Sequence, residues 1–430
     1  MLTTVGVAPR ELERYRSSVR EGVIEAIRED AAKLQGARVL HINATAYGGG
    51  VAEILHSMVP LMRDIGLQCD WKVLTGSDEF FNVTKAMHNA LQGTDHPWKP
   101  SDRETWVNQN RLNTEGWQDY DYVFVHDPQP APLLYILRDH GMNPGGHWVW
   151  RCHIDLTNAQ QQAWDLLRPF VEEYDGSIWT MRQYVREGVP ERHLKIAPPA
   201  IDPLSHKNDA ISDLQIQAVL DRYGVDRHRP IISQVSRFDP WKDPLGVIEA
   251  YRVVKRELPE LQLILVGSMA HDDPEGWEWY EKVVRRAGED WDIHVLTNMN
   301  GVGNIEVNAF QYASDVVIQK STREGFGLVV AEAMWKGKPV VGGKVGGIPL
   351  QIIDGETGYL VDSIEECAAR TMELLRDGQE RRRMGEQGRE HVRDNFLITR
   401  YLHDYVRMMC ELSGEPVSEP TLAEEAVGGE

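Results

Sequence analysis

Cysteine is scarce in this chain of 430 residues: Cys69, Cys152, Cys367 and Cys410 stand far apart and form no CxxC pair. That argues against a disulfide framework or a cysteine zinc site and fits a reducing cytoplasm. No apolar run is long enough to span a bilayer, and the opening MLTTVGVAPRELERYR lacks the pattern of a signal peptide. Basic residues are outnumbered, 46 against 66 Asp and Glu, for a net charge of −20. Such a surface argues against nucleic acid or an anionic membrane as a partner. Cations serving an anionic ligand must then be local. No repeat of solenoid period occurs. What is present is ordinary for a soluble globular protein, 42% apolar and 26% charged, at a length that predicts two or three domains.

The stretch that organises the rest is EGFGLVVAE, Glu324 to Glu332. It follows an apolar run, Asp315–Lys320, that reads as a short parallel strand, and it leads into an apolar helical stretch that stops at Gly337. Gly325 and Gly327 let the backbone approach a ligand and leave the first helix amides, at Phe326–Leu328, available to an anion. Glu324 falls in the loop, and Glu332 falls about one and a half turns into the helix. A carboxylate on a phosphate would repel it, so sugar hydroxyls are the sensible partners. One Glu would read a hexose and the other a ribose, with phosphates between them at the helix end. Taken singly, each could as well be an idle surface residue.

Two further segments support the functional reading. SRFDPWKDP places Arg237 and Lys242 after the apolar run Pro230–Val235, and GKVGGIP follows the strand signal Pro339–Val341. Cations and glycine turns at successive strand ends are what an anion crevice in a doubly wound sheet requires. Together these segments resemble the C-terminal half of the retaining GT-B glycosyltransferases, the large family that includes sucrose and glycogen synthases. The resemblance implies a donor site for a nucleotide-sugar in which Arg237 and Lys242 hold the diphosphate, and Glu324, Gly325, Phe326, Gly327, Leu328 and Glu332 complete it. No carboxylate pair is placed as the nucleophile and acid of a glycosidase. The resemblance implies instead same-face attack with retention, the leaving phosphate taking the acceptor's proton.

Along the chain, residues 11–34 predict an amphipathic helix and Ala37–Asn43 a first strand, followed by TAYGGG and a helix over Val51–Ile65. The resemblance implies that Gly49 and Gly50 close on the donor. Strands are predicted at Trp71–Leu74, Asp121–Val125, His147–Cys152, Ser177–Thr180 and Leu194–Pro198, with Asn158 as the cap of a helix reaching Glu173. His126 and Asp127 follow one strand end and His153 and Asp155 another, where open α/β sheets bind ligands. The resemblance implies that His153 touches the donor sugar, so that His153, Arg237, Lys242 and Glu324 carry the reaction. His126, Asp127 and Asp155 are acceptor-site candidates, Asp155 equally a helix cap. The nucleotide base would meet the loops after Gly267 and Leu296, Asn298 included, and nothing there selects uracil over adenine.

Residues 198–209, PPAIDPLSHKND, are the linker candidate. The expected architecture is α/β of GT-B type: an acceptor domain over 1–204, a donor domain over 205–395, a helix over 396–412 returning to the first domain, and an acidic, disordered tail over 413–430. Two such Rossmann-like domains facing across a cleft suit a two-substrate reaction, because closure excludes water.

The resemblance narrows further. HINATAYGGGVAEILHS, VHDPQPAPL, WRCHIDLTNAQ, FDPWKDPLGVI and STREGFGLVVAEAMWKGKPVV are similar to the trehalose glycosyltransferring synthases over roughly residues 35–400. That group joins a nucleotide diphosphate-glucose, UDP- or ADP-glucose, to free glucose as α,α-trehalose. The retaining trehalose phosphorylases share the motifs, and the same cationic crevice could hold free phosphate. The synthase is favoured because the chain lacks a long additional N-terminal region associated with the phosphorylases. The substrates implied are nucleotide diphosphate-glucose, glucose and trehalose. No cofactor is required, and a divalent cation such as magnesium is at most stimulating, since no DxD-type pair is placed for one and Asp272–Asp273 reads as a solvated turn. A homodimer is compatible with the sequence, though no heptad seam marks one.

Overall fold

Strand and helix alternate twice, and each round of alternation closes into its own parallel sheet. The computed structural model describes residues 1–47, 49–269 and 274–417; Gly48, the Asp272–Asp273 pair and the tail beyond 417 lie outside the described residues. The first sheet is built from β1 (Thr3–Thr4), β2 (Arg38–Asn43), β3 (Gln68–Val73), β4 (Tyr122–His126), β5 (His147–Cys152), β6 (Gly176–Trp179) and β7 (Leu194–Ile196). The second is built from β8 (Ile231–Val235), β9 (Gln262–Gly267), β10 (Ile293–Thr297), β11 (Val316–Gln319), β12 (Val340–Gly343) and β13 (Gly358–Val361).

The strand orders are β1-β3-β2-β4-β5-β6-β7 and β10-β9-β8-β11-β12-β13. All neighbours run parallel except β1, a two-residue antiparallel edge pairing Thr3 with Val73. Edge strand β1 aside, the chain starts each sheet in the middle, adds strands on one side, then crosses to the other. The reversal falls between β2 and β4 in the first sheet and between β8 and β11 in the second. Crossover helices leave in opposite directions at such a point and open a crevice at the carboxyl ends of the strands. Apart from His126, the last residue of β4, the candidate site residues lie on a loop after one of these strands or on the helix that follows.

Burial on both faces explains the strand composition. Along β9, Leu263 and Leu265 pack in one apolar cluster, while Ile264 and Val266 pack in another on the opposite face. In the first sheet the core is aromatic: Trp148, Trp150 and Trp179 are fully buried, and the Trp150 and Trp179 rings meet edge to face at 5.3 Å.

The chain divides into two compact units, Met1–Ala200 with the chain from Ile398 onward, and Ile201–Leu397. The last helix, Ile398–Ser413, therefore belongs to the first unit. It packs against the helices Val23–Ala32 and Gly50–Asp64. His403 Nε2 meets the buried Asp30 carboxylate at 2.9 Å.

Two local expectations fail. Residues 11–34 are not one helix but a 3-10 turn, Leu12–Tyr15, and a helix, Val23–Ala32. Gly22, at φ 87°, interrupts the run in a conformation that helical residues do not adopt. Asn158 caps nothing: the helix begins at Gln161 behind Gln160, with no side-chain cap. Its backbone instead follows a turn in which Asp155 Oδ1 accepts from the Thr157 amide at 2.8 Å.

Candidate functional site

In the second unit the loops after β8 and β11 are tied together. The β8 loop turns on Asp239, whose Oδ1 accepts from the amides of Trp241 and Lys242 at 2.9 and 3.0 Å. Gln234 Nε2 holds the Lys242 carbonyl at 2.7 Å. The backbone then passes through Asp243 at φ 47°, and that carboxylate caps the next helix at Gly246 and pairs with Lys320 Nζ at 2.5 Å. Thr322 N donates to the Trp241 carbonyl at 2.8 Å. Backbone and side chain together thus aim Lys242 at the β11 loop.

There Lys242 Nζ meets Glu324 Oε2 at 2.5 Å, with the two side chains 17% and 10% exposed. Ser321 Oγ lies 3.3 Å from the same oxygen. Arg237 stands apart from this pair, 62% exposed, with its Nη2 3.3 Å from Asp239 Oδ2. The structure thus joins Lys242 to Glu324 directly and places Arg237 at the solvent edge of the same β8 loop.

Gly327 begins the helix Leu328–Trp335 at φ 84°, ψ 61°, a left-handed position that requires glycine here. A Cβ on Gly347, in the loop after β12, would lie 2.8 Å from Phe326 Cα and 2.9 Å from Gly325 O, so that glycine permits the two loops to touch. Gln351 Nε2 holds the Phe326 carbonyl at 2.6 Å and reaches the Gly327 carbonyl at 3.3 Å. With their carbonyls held from behind, the amides of Phe326, Gly327 and Leu328 meet no acceptor among the described residues. They are donors at the positive end of a helix.

Glu332 lies in the second turn of that helix, 1% exposed, and neither carboxylate oxygen accepts a hydrogen bond among the described residues. Its nearest cation is Lys207 of the linker segment, 3.5 Å away. Lys336, one turn on, donates to the Glu332 carbonyl at 3.1 Å and to Asn208 Oδ1 at 2.9 Å. Burial pushes the Lys336 ammonium down to about 7, against the opposing pull of Glu332. A buried carboxylate without hydrogen-bond donors carries a desolvation cost that a ligand's hydroxyls can relieve.

Asn298 sits in a 3-10 turn after β10, where its amide is engaged at both ends by Met269: Oδ1 accepts from the backbone amide at 2.8 Å and Nδ2 donates to the carbonyl at 3.0 Å. In this structure it joins the loops after β9 and β10.

In the first unit Gly49 and Gly50 are exposed at the carboxyl end of β2, Gly49 extended and Gly50 opening the helix Gly50–Asp64. Beside them, β4 ends in His126, buried, and Asp127, at φ 64°. Asp127 Oδ1 accepts from the His153 amide at 2.8 Å, so this carboxylate serves the backbone of its neighbour. Burial pushes its carboxyl up to about 6. The His126 and His153 rings stack with centroids 5.2 Å apart, and His126 Nδ1 lies 2.9 Å from His153 Nε2. Burial holds both imidazoles well below the ordinary histidine range, and the nearby Arg151 guanidinium reinforces this.

Sequence reasoning missed several residues that build these sites. Arg151 is wholly buried, with Nη2 on the Ala197 carbonyl at 2.7 Å and Nε 3.2 Å from the Tyr401 hydroxyl of the last helix. His41 sits inside β2, its Nδ1 3.0 Å from His126 Nε2. Ser321, Gln351, Lys207 and Lys336 complete the second unit's site. Only Lys336 offered a signal, as a lone cation closing an apolar helix. Among the described residues, no group of three or more His, Cys, Asp or Glu is arranged to hold a metal ion. No helix among them is long and apolar enough to cross a membrane.

Two parallel α/β units, each with its polar side chains gathered at a strand-order reversal and one with a helix start open to an anion, define a glycosyltransferase of the GT-B type. Solved structures share this fold: α,α-trehalose 6-phosphate synthase from Burkholderia multivorans, with a TM-score of 0.69 at 14% identity, over 88% of this chain and 99% of that one, and sucrose-phosphate synthase from Thermosynechococcus elongatus, with 0.66 at 18%, over the same shares. The family described as the trehalose synthase N-terminal domain matches residues 41–186, and group 1 glycosyl transferases match residues 217–391. The trehalose synthase of Rubrobacter xylanophilus is 51% identical over 96% of this chain and its own whole length. A trehalose phosphorylase from Pleurotus pulmonarius is 28% identical over 89% of this chain and 58% of its own. The chain belongs to the trehalose synthase family.

Proposed function

We propose that the protein transfers glucose from a nucleotide diphosphate-glucose to free glucose, with retention, to form α,α-trehalose. The observation that carries this reading is the helix Leu328–Trp335. Its first amides meet no acceptor among the described residues, and one turn further in the buried Glu332 carboxylate accepts no hydrogen bond among them. A diphosphate flanked by a ribose supplies both needs at once: negative charge at the helix start and paired hydroxyls for the carboxylate. Free phosphate would fill only the first, which is why the synthase reading is preferred to the phosphorylase one.

In this reading Glu324 accepts from hexose hydroxyls. Its contacts to Lys242 and Ser321 fix it for binding and do not suit a nucleophile that must reach the anomeric carbon. As the bond from C1 to the diphosphate oxygen breaks, negative charge builds on the leaving group. Lys242, Arg237 and the amides of Phe326, Gly327 and Leu328 stabilise it. The acceptor's anomeric hydroxyl bonds to C1 from the same face, and its proton ends on the departing phosphate oxygen. Gly49, Gly50, His126, Asp127, His153 and Asp155 are assigned to the sugars. No metal is given a role in these steps.

The test is a product assay. The protein is mixed with glucose and either UDP-glucose or ADP-glucose, and separately with trehalose and phosphate, each with and without magnesium. Products are read from their anomeric protons by NMR. Trehalose with release of nucleoside diphosphate is the expected result, and the better donor gives the base preference. Glucose 1-phosphate arising only from trehalose and phosphate would overturn the reading in favour of phosphorolysis.

A further inference from the structure

Three imidazoles stand in a row in the first unit. His41 Nδ1 is 3.0 Å from His126 Nε2, and His126 Nδ1 is 2.9 Å from His153 Nε2. The inner end of the row is His41 Nε2, 3.4 Å from the Met62 sulfur. The outer end is His153 Nδ1, on a half-buried ring, with no protein partner among the described residues.

A neutral imidazole carries one N–H and one lone pair. In a row of neutral rings each contact uses one of each, so the state of one end sets the state of the other. A thioether has lone pairs and no proton; it only accepts. The Cys69 thiol, held protonated by burial, also points its donor at this sulfur, 3.6 Å away. Among the described residues nothing at the inner end donates to His41 Nε2, and a bare nitrogen there would set lone pair against lone pair in a fully buried place. The proton therefore belongs on His41 Nε2. His41 Nδ1 then accepts from His126 Nε2, and His126 Nδ1 accepts from His153 Nε2.

We propose that Met62, His41 and His126 are positioning residues that hold His153 as its Nε2-protonated tautomer, so that Nδ1 offers a lone pair to a hydroxyl of a bound sugar. The sugar contact rests on the function proposed above; the tautomer does not. The direction of the row selects a ligand class: a lone pair welcomes an uncharged sugar hydroxyl and repels a phosphate oxygen. The recognised group opposite His153 is thus an unphosphorylated position of a hexose.

The test reads protons directly. In ¹⁵N-histidine-labelled protein without substrate, long-range ¹H–¹⁵N correlations distinguish protonated from bare ring nitrogens, and a His153→Asn sample assigns the signals. His153 and His126 should both show a protonated Nε2 and a bare Nδ1. Met62→Leu keeps the volume and deletes the acceptor. It should bring the reversed tautomer into the population and lower kcat/KM several-fold at nearly constant Tm. A wild-type His153 protonated on Nδ1 overturns the proposal. With the tautomer as stated, glucose or the nucleotide-sugar should shift the His153 Nδ1 signal. A signal that neither sugar moves removes the sugar contact and leaves the relay itself in place.

Discussion

At the reversal point of the first sheet the polar side chains are neutral imidazoles in file; at that of the second they are opposite charges 2.5 Å apart. The imidazoles lie inside β2, at the end of β4 and just after β5, and the charged pair lies on the loops after β8 and β11, so both groups gather at the strand pair where the order reverses. The scaffold therefore decides where chemistry happens, and the side chains decide what kind. In a chain of net charge −20, the loops after β8 and β11 nonetheless gather Arg237, Lys242, Lys320 and Arg323. Cations and open amides suit a diphosphate whose charge grows during reaction. Uncharged rings, kept so by burial, suit a sugar that carries no charge.

Breaking the charged site should have the largest effect. On the proposed function, Lys242→Met removes a cation from the leaving group, and it strands Glu324. The loss of one charge-assisted contact costs about 1.5–3 kcal/mol, roughly a 10- to 150-fold fall in turnover. Glu324→Gln should fall in the same range. Because the two groups touch, the double variant should lose less than the product of the two single losses. Steady-state kinetics on the three variants, with Tm as the check on folding, decides it: full turnover in either single variant would remove the pair from the site. A smaller and more selective effect is expected one turn into the helix. Glu332→Gln keeps the shape and weakens the acceptor, so KM for the nucleotide-sugar should rise about tenfold, or about 1.4 kcal/mol, with KM for glucose unchanged. An equal rise for both substrates would place Glu332 outside the donor site.

The charged half of this comparison was legible in the sequence, and the neutral half only in part. Glycines around Glu324 and cations after Val235 are local signals that need no partner from elsewhere in the chain. His126 and His153 could be placed at strand ends for the same reason. His41 could not be read: it lies inside β2, 85 positions from its partner His126 in sequence, and a histidine in a buried strand looks like any tolerated polar residue. The family resemblance implied one site for Lys242 and Glu324 but not one contact between them, because an ion pair across 82 positions is a property of the folded loops. Asn158 misled because a good capping residue was taken for a cap, while Asp155 had already closed the turn ahead of the helix.

The smallest expected effect sharpens the contrast through pH. Buried His41 titrates near 3 when folded, and burial holds the equally buried His126 well below its ordinary value of 6.5. Between 6.5 and those folded values the unfolded chain binds the extra protons, so stability rises with pH and is lost on acidification, at about 1.4 kcal/mol per pH unit for each ring. Asp127 opposes one of them. Its folded carboxyl titrates near 6 against an unfolded 3.8, so the folded state binds its proton first and gains stability as pH falls through that window. His153, whose imidazole burial also holds well below its ordinary value, adds to these two, so three histidines against one aspartate leave a net loss of stability as pH falls below 6. In the second unit Lys336 acts at the other end of the scale. Folded it loses its proton near 7 and unfolded near 10.5, so between those values the unfolded chain holds the extra proton and stability rises with pH. Thermal melts from pH 4.5 to 9.5 should therefore show a Tm that falls on the acid side and climbs on the alkaline side. His41→Leu should flatten the acid limb alone, and Lys336→Met the alkaline limb alone. If either substitution flattened both limbs, the two sites would not be the separate electrostatic systems that their geometry describes.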